Sequence, residues 1–200
     1  GVGINATTNV ESVIYGSLIP DNSLEKFLAI EKERFAHPSL RVFQNELEIV
    51  YEEFNTIQDN PFVEKYYAIN KGLFKKHPYG QQQVIGTSQH LKNPSIKAIE
   101  AYFNKYYVPN NMAVILVGNI DFDSTIRWVN HAFGSLAAKP VARPVFPKED
   151  PITSPVEMEL TGTKPASVFI GFRMDGVGSD DEKYFTIINK MLDNKVAGMV

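Results

Sequence analysis

The stretch Leu40–Ile57, LRVFQNELEIVYEEFNTI, decides the fold class. Its apolar residues Leu40, Phe43, Leu47, Val50, Phe54 and Ile57 recur in steps of three and four, which places them on one stripe of an α-helix. Pro38 starts this helix and Asp59-Asn60-Pro61 ends it. Glu46 and Glu53 are seven positions apart, about 700° of rotation, so they share one face two turns apart. Both immediately precede stripe residues. By periodicity alone such flanking glutamates form a solvated helix face, although a place beside a packed stripe also lets them line a cleft.

Working outward, residues 6–19, ATTNVESVIYGSLI, are rich in β-branched and aromatic residues and hold no proline, which reads as one or two strands. Asp21, Asn22 or Ser23 can cap a helix over Leu24–Ala36, since short polar side chains accept from free first-turn N–H groups. A third helical stretch, Phe62–Lys76, runs into the breaker His77-Pro78-Tyr79-Gly80 and a polar loop through Gly86. Asn93-Pro94 opens a helix to about Tyr107, with proline where its missing N–H costs nothing.

Met112–Gly118, MAVILVG, is a short continuous apolar run between turn residues and predicts a strand buried on both faces. Asp121 or Asp123 caps a helix carrying Ile126, Val129 and Phe133 on one side and stopped by Gly134. Pro140, Pro144, Pro147, Pro151 and Pro155 then rule out helix or central strand and indicate a linker. Beyond it Val156, Met158 and Leu160 alternate with polar residues, and Ala166–Phe172 is a second apolar run, so a new sheet begins. Ser179 to Glu182 forms a capping-box pattern ahead of the helix Tyr184–Leu192.

These elements predict an α+β fold, with helices packed on a mostly antiparallel sheet. The expected domains are residues 1–138, the linker 139–155 and the start of a second α+β domain over 156–200. A domain of such short length is incomplete, and with Gly rather than Met at position 1 the expectation is a piece cut at both ends.

The 44% hydrophobic and 22% charged residues exclude a disordered chain. Lys and Arg total 20 against 23 Asp and Glu, and no run of one sign occurs, which excludes a nucleic-acid footprint. A peptide, protein or small-molecule partner fits better. With no cysteine, disulfides, thiolate nucleophiles and thiolate metal sites are excluded. No apolar run reaches the roughly 18 residues of a membrane span. The compartment stays open.

Histidines stand at 37, 77, 90 and 131. None pair at the spacing that puts two imidazoles on one helical face, and no HExxH or HxxEH string occurs. A zinc site normally takes three protein ligands, so a complete one is not expected within this chain, and each histidine reads as a surface or cap residue. Tyr102, Phe103, Tyr106 and Tyr107 read as core.

The segment from Glu46 to Phe54, ELEIVYEEF, resembles the helix following the HxxEH helix in the pitrilysin/insulinase (M16) zinc metallopeptidases. There a glutamate precedes the third zinc ligand by seven residues. The likeness extends to Asn5-Ala6-Thr7-Thr8 with Tyr15, to Leu24–Phe35, to the His77–Gly80 turn with Ile85-Gly86, and to YYVPNNMAVILVGN at Tyr106–Asn119. Individually weak, these motifs are specific in this order.

The resemblance implies an M16 metallopeptidase-like (LuxS/MPP-like) fold. It implies Glu53 as third zinc ligand in the intact protein and Glu46 as a carboxylate orienting a ligand. Asn5, Ala6, Thr7 and Thr8 become an exposed edge that binds an extended peptide by added main-chain hydrogen bonds. The family often has an aspartate after this strand, where Val10-Glu11 stands here. The histidine pair and catalytic-base glutamate are then expected some tens of residues before Gly1. Zinc is implied for the parent protein, with none held stoichiometrically by this piece, which is expected to be inert alone. A second M16-like half, in the same chain or a partner, is implied as well. The alternative is a non-catalytic M16-like binding or scaffolding half that lost its metal site.

Overall fold

The computed structural model describes residues 3–162 and 165–192. It begins with an antiparallel hairpin, β1 (Gly3–Thr8) and β2 (Val13–Leu18), in which Asn5 pairs with Gly16, Ala6 with Tyr15 and Thr7 with Ile14. Eight helices follow among the described residues: α1 (Leu24–Ala36), α2 (Phe43–Gln58), α3 (Pro61–Leu73), α4 (Pro78–Gln81), α5 (Ser88–Lys92), α6 (Ile96–Tyr106), α7 (Phe122–Phe133) and α8 (Asp180–Leu192). The α+β class is therefore met by a helix-rich chain with one small antiparallel sheet.

The described chain divides into two compact units. One comprises the residues through Asn60 together with Gln82–Pro147, the other Pro61–Gln81 together with the residues from Lys148 onward. In the first, Leu24 and Leu28 of α1 and Ala132 of α7 are buried together, with Ile19, Leu116, Trp128, Val129 and Phe133 packed around them. Leu28 is 2% exposed. Burying such a side chain contributes roughly 1.5–3 kcal/mol, so the α1–α7 contact is the main apolar seam of this unit. In the second, Phe62 of α3 meets Phe169 edge-on at 6.3 Å. A Cβ added to Gly171 would lie 2.7 Å from Ile69 and 3.1 Å from Leu73, so the backbone there approaches α3 more closely than a larger residue permits.

Several helix starts follow the capping logic. The Asp121 carboxylate accepts the Ser124 N–H at 2.9 Å and caps α7; the Ser124 side chain, then this N–H, hold its carboxyl below the ordinary range. Ser179 accepts from the Glu182 N–H at 3.3 Å ahead of α8. Several boundaries move: α3 ends at Leu73 and not Lys76, α8 starts at Asp180 and not Tyr184, the expected breaker holds the short α4, and Ser23 ahead of α1 makes no side-chain cap hydrogen bond. The cap of α6 is Ser95, accepting from Ala98 N–H at 3.2 Å, and not Asn93. α2 starts at Phe43 and not after Pro38, because Phe43 N–H closes a turn on Leu40 C=O, which leaves Leu40 outside the helix.

The three later strands expected from the sequence are not formed among the described residues: 112–118, 156–160 and 166–172 pair with no other strand. Nor is the first of these runs buried on both faces. Leu116 packs on the α1–α7 seam, whereas Ile115 is 83% and Val117 93% exposed. A strand is completed by its neighbour's hydrogen bonds, and an apolar run alone supplies none.

Candidate functional site

α2 carries both carboxylates singled out by spacing. Its stripe residues Phe43, Leu47, Val50, Phe54 and Ile57 are half-buried, and Glu46 and Glu53 are exposed on one flank. Seven residues at 1.5 Å rise set them about 10 Å apart along the axis. Among the described residues neither carboxylate takes part in a side-chain hydrogen bond or ion pair, which leaves their lone pairs for an outside partner. On the other flank, Gln44, Leu47, Glu48, Tyr51, Leu91 and Lys92 border a groove of about 280 Å³. Helical geometry puts Tyr51 and Glu48 about 140–160° around the axis from the Glu46/Glu53 face. The groove and the carboxylate pair are thus separate features.

Asn5, Ala6, Thr7 and Thr8 lie on β1, exposed and paired on one side only, to β2. The Ala6 N–H donates to the Asn5 side-chain oxygen at 2.9 Å, and an extended chain adding to the unpaired side would displace that bond. Tyr15, opposite Ala6, holds the hairpin in place. Its ring meets Phe35 at 5.5 Å and Tyr107 at 6.2 Å, the Arg34 guanidinium lies over it at 4.8 Å, and its hydroxyl pairs with that of Tyr107 at 2.7 Å. Desolvation, with this hydrogen bond, pushes the Tyr107 phenol up, so Tyr107 stays protonated at any physiological pH.

The histidines take local roles. His37 Nδ1 lies 2.9 Å from Glu33. His90 closes a reciprocal capping box with Thr87 at the start of α5. His77 Nδ1 accepts the Tyr79 N–H at 3.3 Å, and its ring stacks edge-on with Tyr79 at 4.3 Å. Among the described residues no three His, Asp or Glu side chains converge as a metal-binding group. Glu53 is chemically suited to donate one carboxylate oxygen to zinc, but the remaining ligands of such a site are not gathered around it.

Sequence reading missed one polar centre. Glu149, in the proline-rich segment, accepts N–H groups of three consecutive residues, Lys75, Lys76 and His77, at 3.0, 2.6 and 2.6 Å. Arg173 stands 3.6 Å from the same carboxylate. The partners are 74, 73 and 72 positions away in the chain, and no local motif signals them.

The fold is shared with solved proteases. A protease from Helicobacter pylori superposes with a TM-score of 0.66 at 24% identity, covering 74% of this chain and 37% of that one. The first half of the periplasmic protease PqqL from Escherichia coli gives 0.63 at 20% identity, over 72% and 32%. The particular family follows from sequence: residues 95–198 match the model described as the Peptidase M16 inactive domain, and the chain belongs to the M16 peptidase family. Among similar proteins, the uncharacterized zinc protease YmxG of Bacillus subtilis is 26% identical over 98% of this chain and 48% of its own length. An uncharacterized zinc protease of Rickettsia bellii is 26% identical over 68% and 33%. The chain thus spans half or less of the length of these relatives.

Proposed function

We propose that this chain is part of an M16 zinc peptidase to which it contributes Glu53 as a metal ligand, Glu46 as the carboxylate that orients a neighbouring ligand, and the β1 edge as the peptide-binding strand. The observation that carries the reading is the pair on α2: two exposed carboxylates, in phase and without partners among the described residues. The names of the relatives, zinc proteases, support the same chemistry. When bound, zinc supplies Lewis-acid activation of water for amide hydrolysis. The chain's own residues would do the rest that falls to them: Glu53 donates an oxygen, Glu46 accepts a hydrogen bond that fixes a ligand's orientation, and Asn5–Thr8 align an extended peptide through main-chain bonds.

In this reading residues 1–138 close a first domain, 139–155 connect, and a second α+β domain starts at 156. A second M16-like half completes the enclosure of the peptide. The histidine pair and catalytic base are supplied by residues outside this chain.

The experiment is Glu53→Gln in the full-length protein. Wild type is expected to hold about one zinc per chain and to cleave unfolded peptides; the variant loses both properties. Unchanged turnover with unchanged zinc content sinks the assignment. One observation favours a second reading, a non-catalytic binding or scaffolding half: the matching family model describes an inactive domain. Peptide binding without zinc in the full-length protein would establish that reading instead.

A further inference from the structure

Three backbone N–H groups in succession, at Lys75, Lys76 and His77, converge on Glu149. Such a nest of N–H groups is an anion site, and here its occupant is a side chain from the proline-rich segment. Arg173 completes the arrangement from a third stretch of chain. Its guanidinium faces the Glu149 carboxylate at 3.6 Å, donates to the Leu73 C=O at the end of α3 at 2.7 Å, and donates to the Asp150 C=O. Lys76 Nζ pairs with the Asp150 carboxylate at 2.8 Å. The Glu149 and Arg173 side chains are only 11% and 18% exposed, so water competes weakly for these bonds.

The same segment is held at its other end by a different device. The Asn110 amide donates to Lys139 C=O at 2.9 Å and accepts Lys139 N–H at 3.1 Å. Between these two fastenings lies Pro140–Lys148, whose prolines cannot donate to any neighbour.

We propose that Glu149 is a latch: it fastens the C-terminal end of the proline-rich connector to the end of α3, with Arg173 as its positioning residue, and it opens when the carboxylate is neutralised. The charged groups that face it are the Lys75–His77 amides, Arg173, and, one residue away, the Asp150–Lys76 pair. Desolvation opposes the carboxylate's charge, but the three N–H donors and Arg173 outweigh it and hold the carboxyl below its ordinary value. A group whose pKa is lowered on folding contributes above its unfolded value and stops contributing as pH falls through the folded one. The latch is therefore closed at neutral pH, and it opens as pH falls through the folded carboxyl's value, which lies below the ordinary glutamate value of 4.5. It does not depend on the peptidase reading.

Hydrogen exchange and limited trypsinolysis of the full-length protein test it together. Trypsin does not cut before proline, so Lys139-Pro140 and Arg143-Pro144 resist it. The Lys148-Glu149 bond is left as the connector's cleavable site. In Glu149→Gln at neutral pH, amides 75–77 should exchange about tenfold faster or more, since hydrogen bonds to a charged acceptor are the strong ones. Cleavage after Lys148 should rise in parallel, while amides of α1 and α7 keep their protection. Wild type titrated downward from pH 4.5 should show the same local loss of protection once the Glu149 carboxyl is protonated, with exchange rates corrected for intrinsic pH dependence and no substitution involved. Unchanged protection at 75–77 in the variant overturns the proposal. Loss of protection spreading to α1 and α7 in both experiments also overturns it, because Glu149 would then be a general determinant of folding and not a latch.

Discussion

α2 and α7 are both amphipathic helices, yet they end in opposite environments. α7 is capped by Asp121, buries Thr125 and Ala132, and packs Trp128, Val129 and Phe133 around Leu24 and Leu28 of α1. α2 is the longer helix with the longer apolar stripe but buries no residue fully, and its Glu46/Glu53 flank is open. The difference teaches that periodicity names the face that seeks a partner, whereas a partner's arrival decides burial. A helix with an unpacked flank is also the one able to offer carboxylates to a metal, since a buried carboxylate must first be paired.

That contrast predicts a double dissociation between stability and activity. At the large end, Glu53→Gln abolishes peptide cleavage by the full-length protein and, with both proteins compared free of zinc, leaves its melting temperature unchanged; a coupled fall in both would make α2 a structural helix like α7. Next, Leu28→Ala costs about 2–5 kcal/mol of unfolding free energy, the range for a buried leucine truncation, as read by denaturant titration. A loss nearer that of an exposed site would show that the α1–α7 seam is not the centre of its unit. Smaller is Glu46→Gln, which lowers activity or zinc affinity by about 10–100-fold, as expected when a group that orients a ligand is lost, again without thermal destabilisation. Smallest is Leu47→Ala on α2. With its side chain half-exposed, it should cost about 1 kcal/mol, typical of substitutions away from a full core. An equal cost at Leu28 and Leu47 would erase the comparison.

Several elements were legible because their causes are local. The α2 stripe, the Asp121 cap and the Ser179 signal before α8 each depend on residues within four positions of one another. The in-phase pair Glu46 and Glu53 was legible for the same reason, although its assignment to zinc came from the ordered resemblance. The Thr87/His90 box escaped notice because histidine replaces the usual glutamate or glutamine in the reciprocal position. Met112–Gly118 misled because MAVILVG reads as a buried strand wherever a sheet receives it, and among the described residues none does. Glu149 and Arg173 were invisible, since their partners lie up to 100 positions away and an isolated glutamate in a proline-rich stretch reads as solvated.

By itself the sequence determined the six longer helices, their apolar faces, the Asp121 and Ser179 caps, the glutamate pair and the family likeness. All of these arise from side-chain periodicity and from short-range competition for backbone N–H groups. Only the tertiary structure decided that α1 closes on α7, that Pro61–Gln81 groups with the residues after Lys148, and that three amides collect around Glu149. Those outcomes depend on which distant surfaces meet, a choice made by the burial and pairing of whole elements.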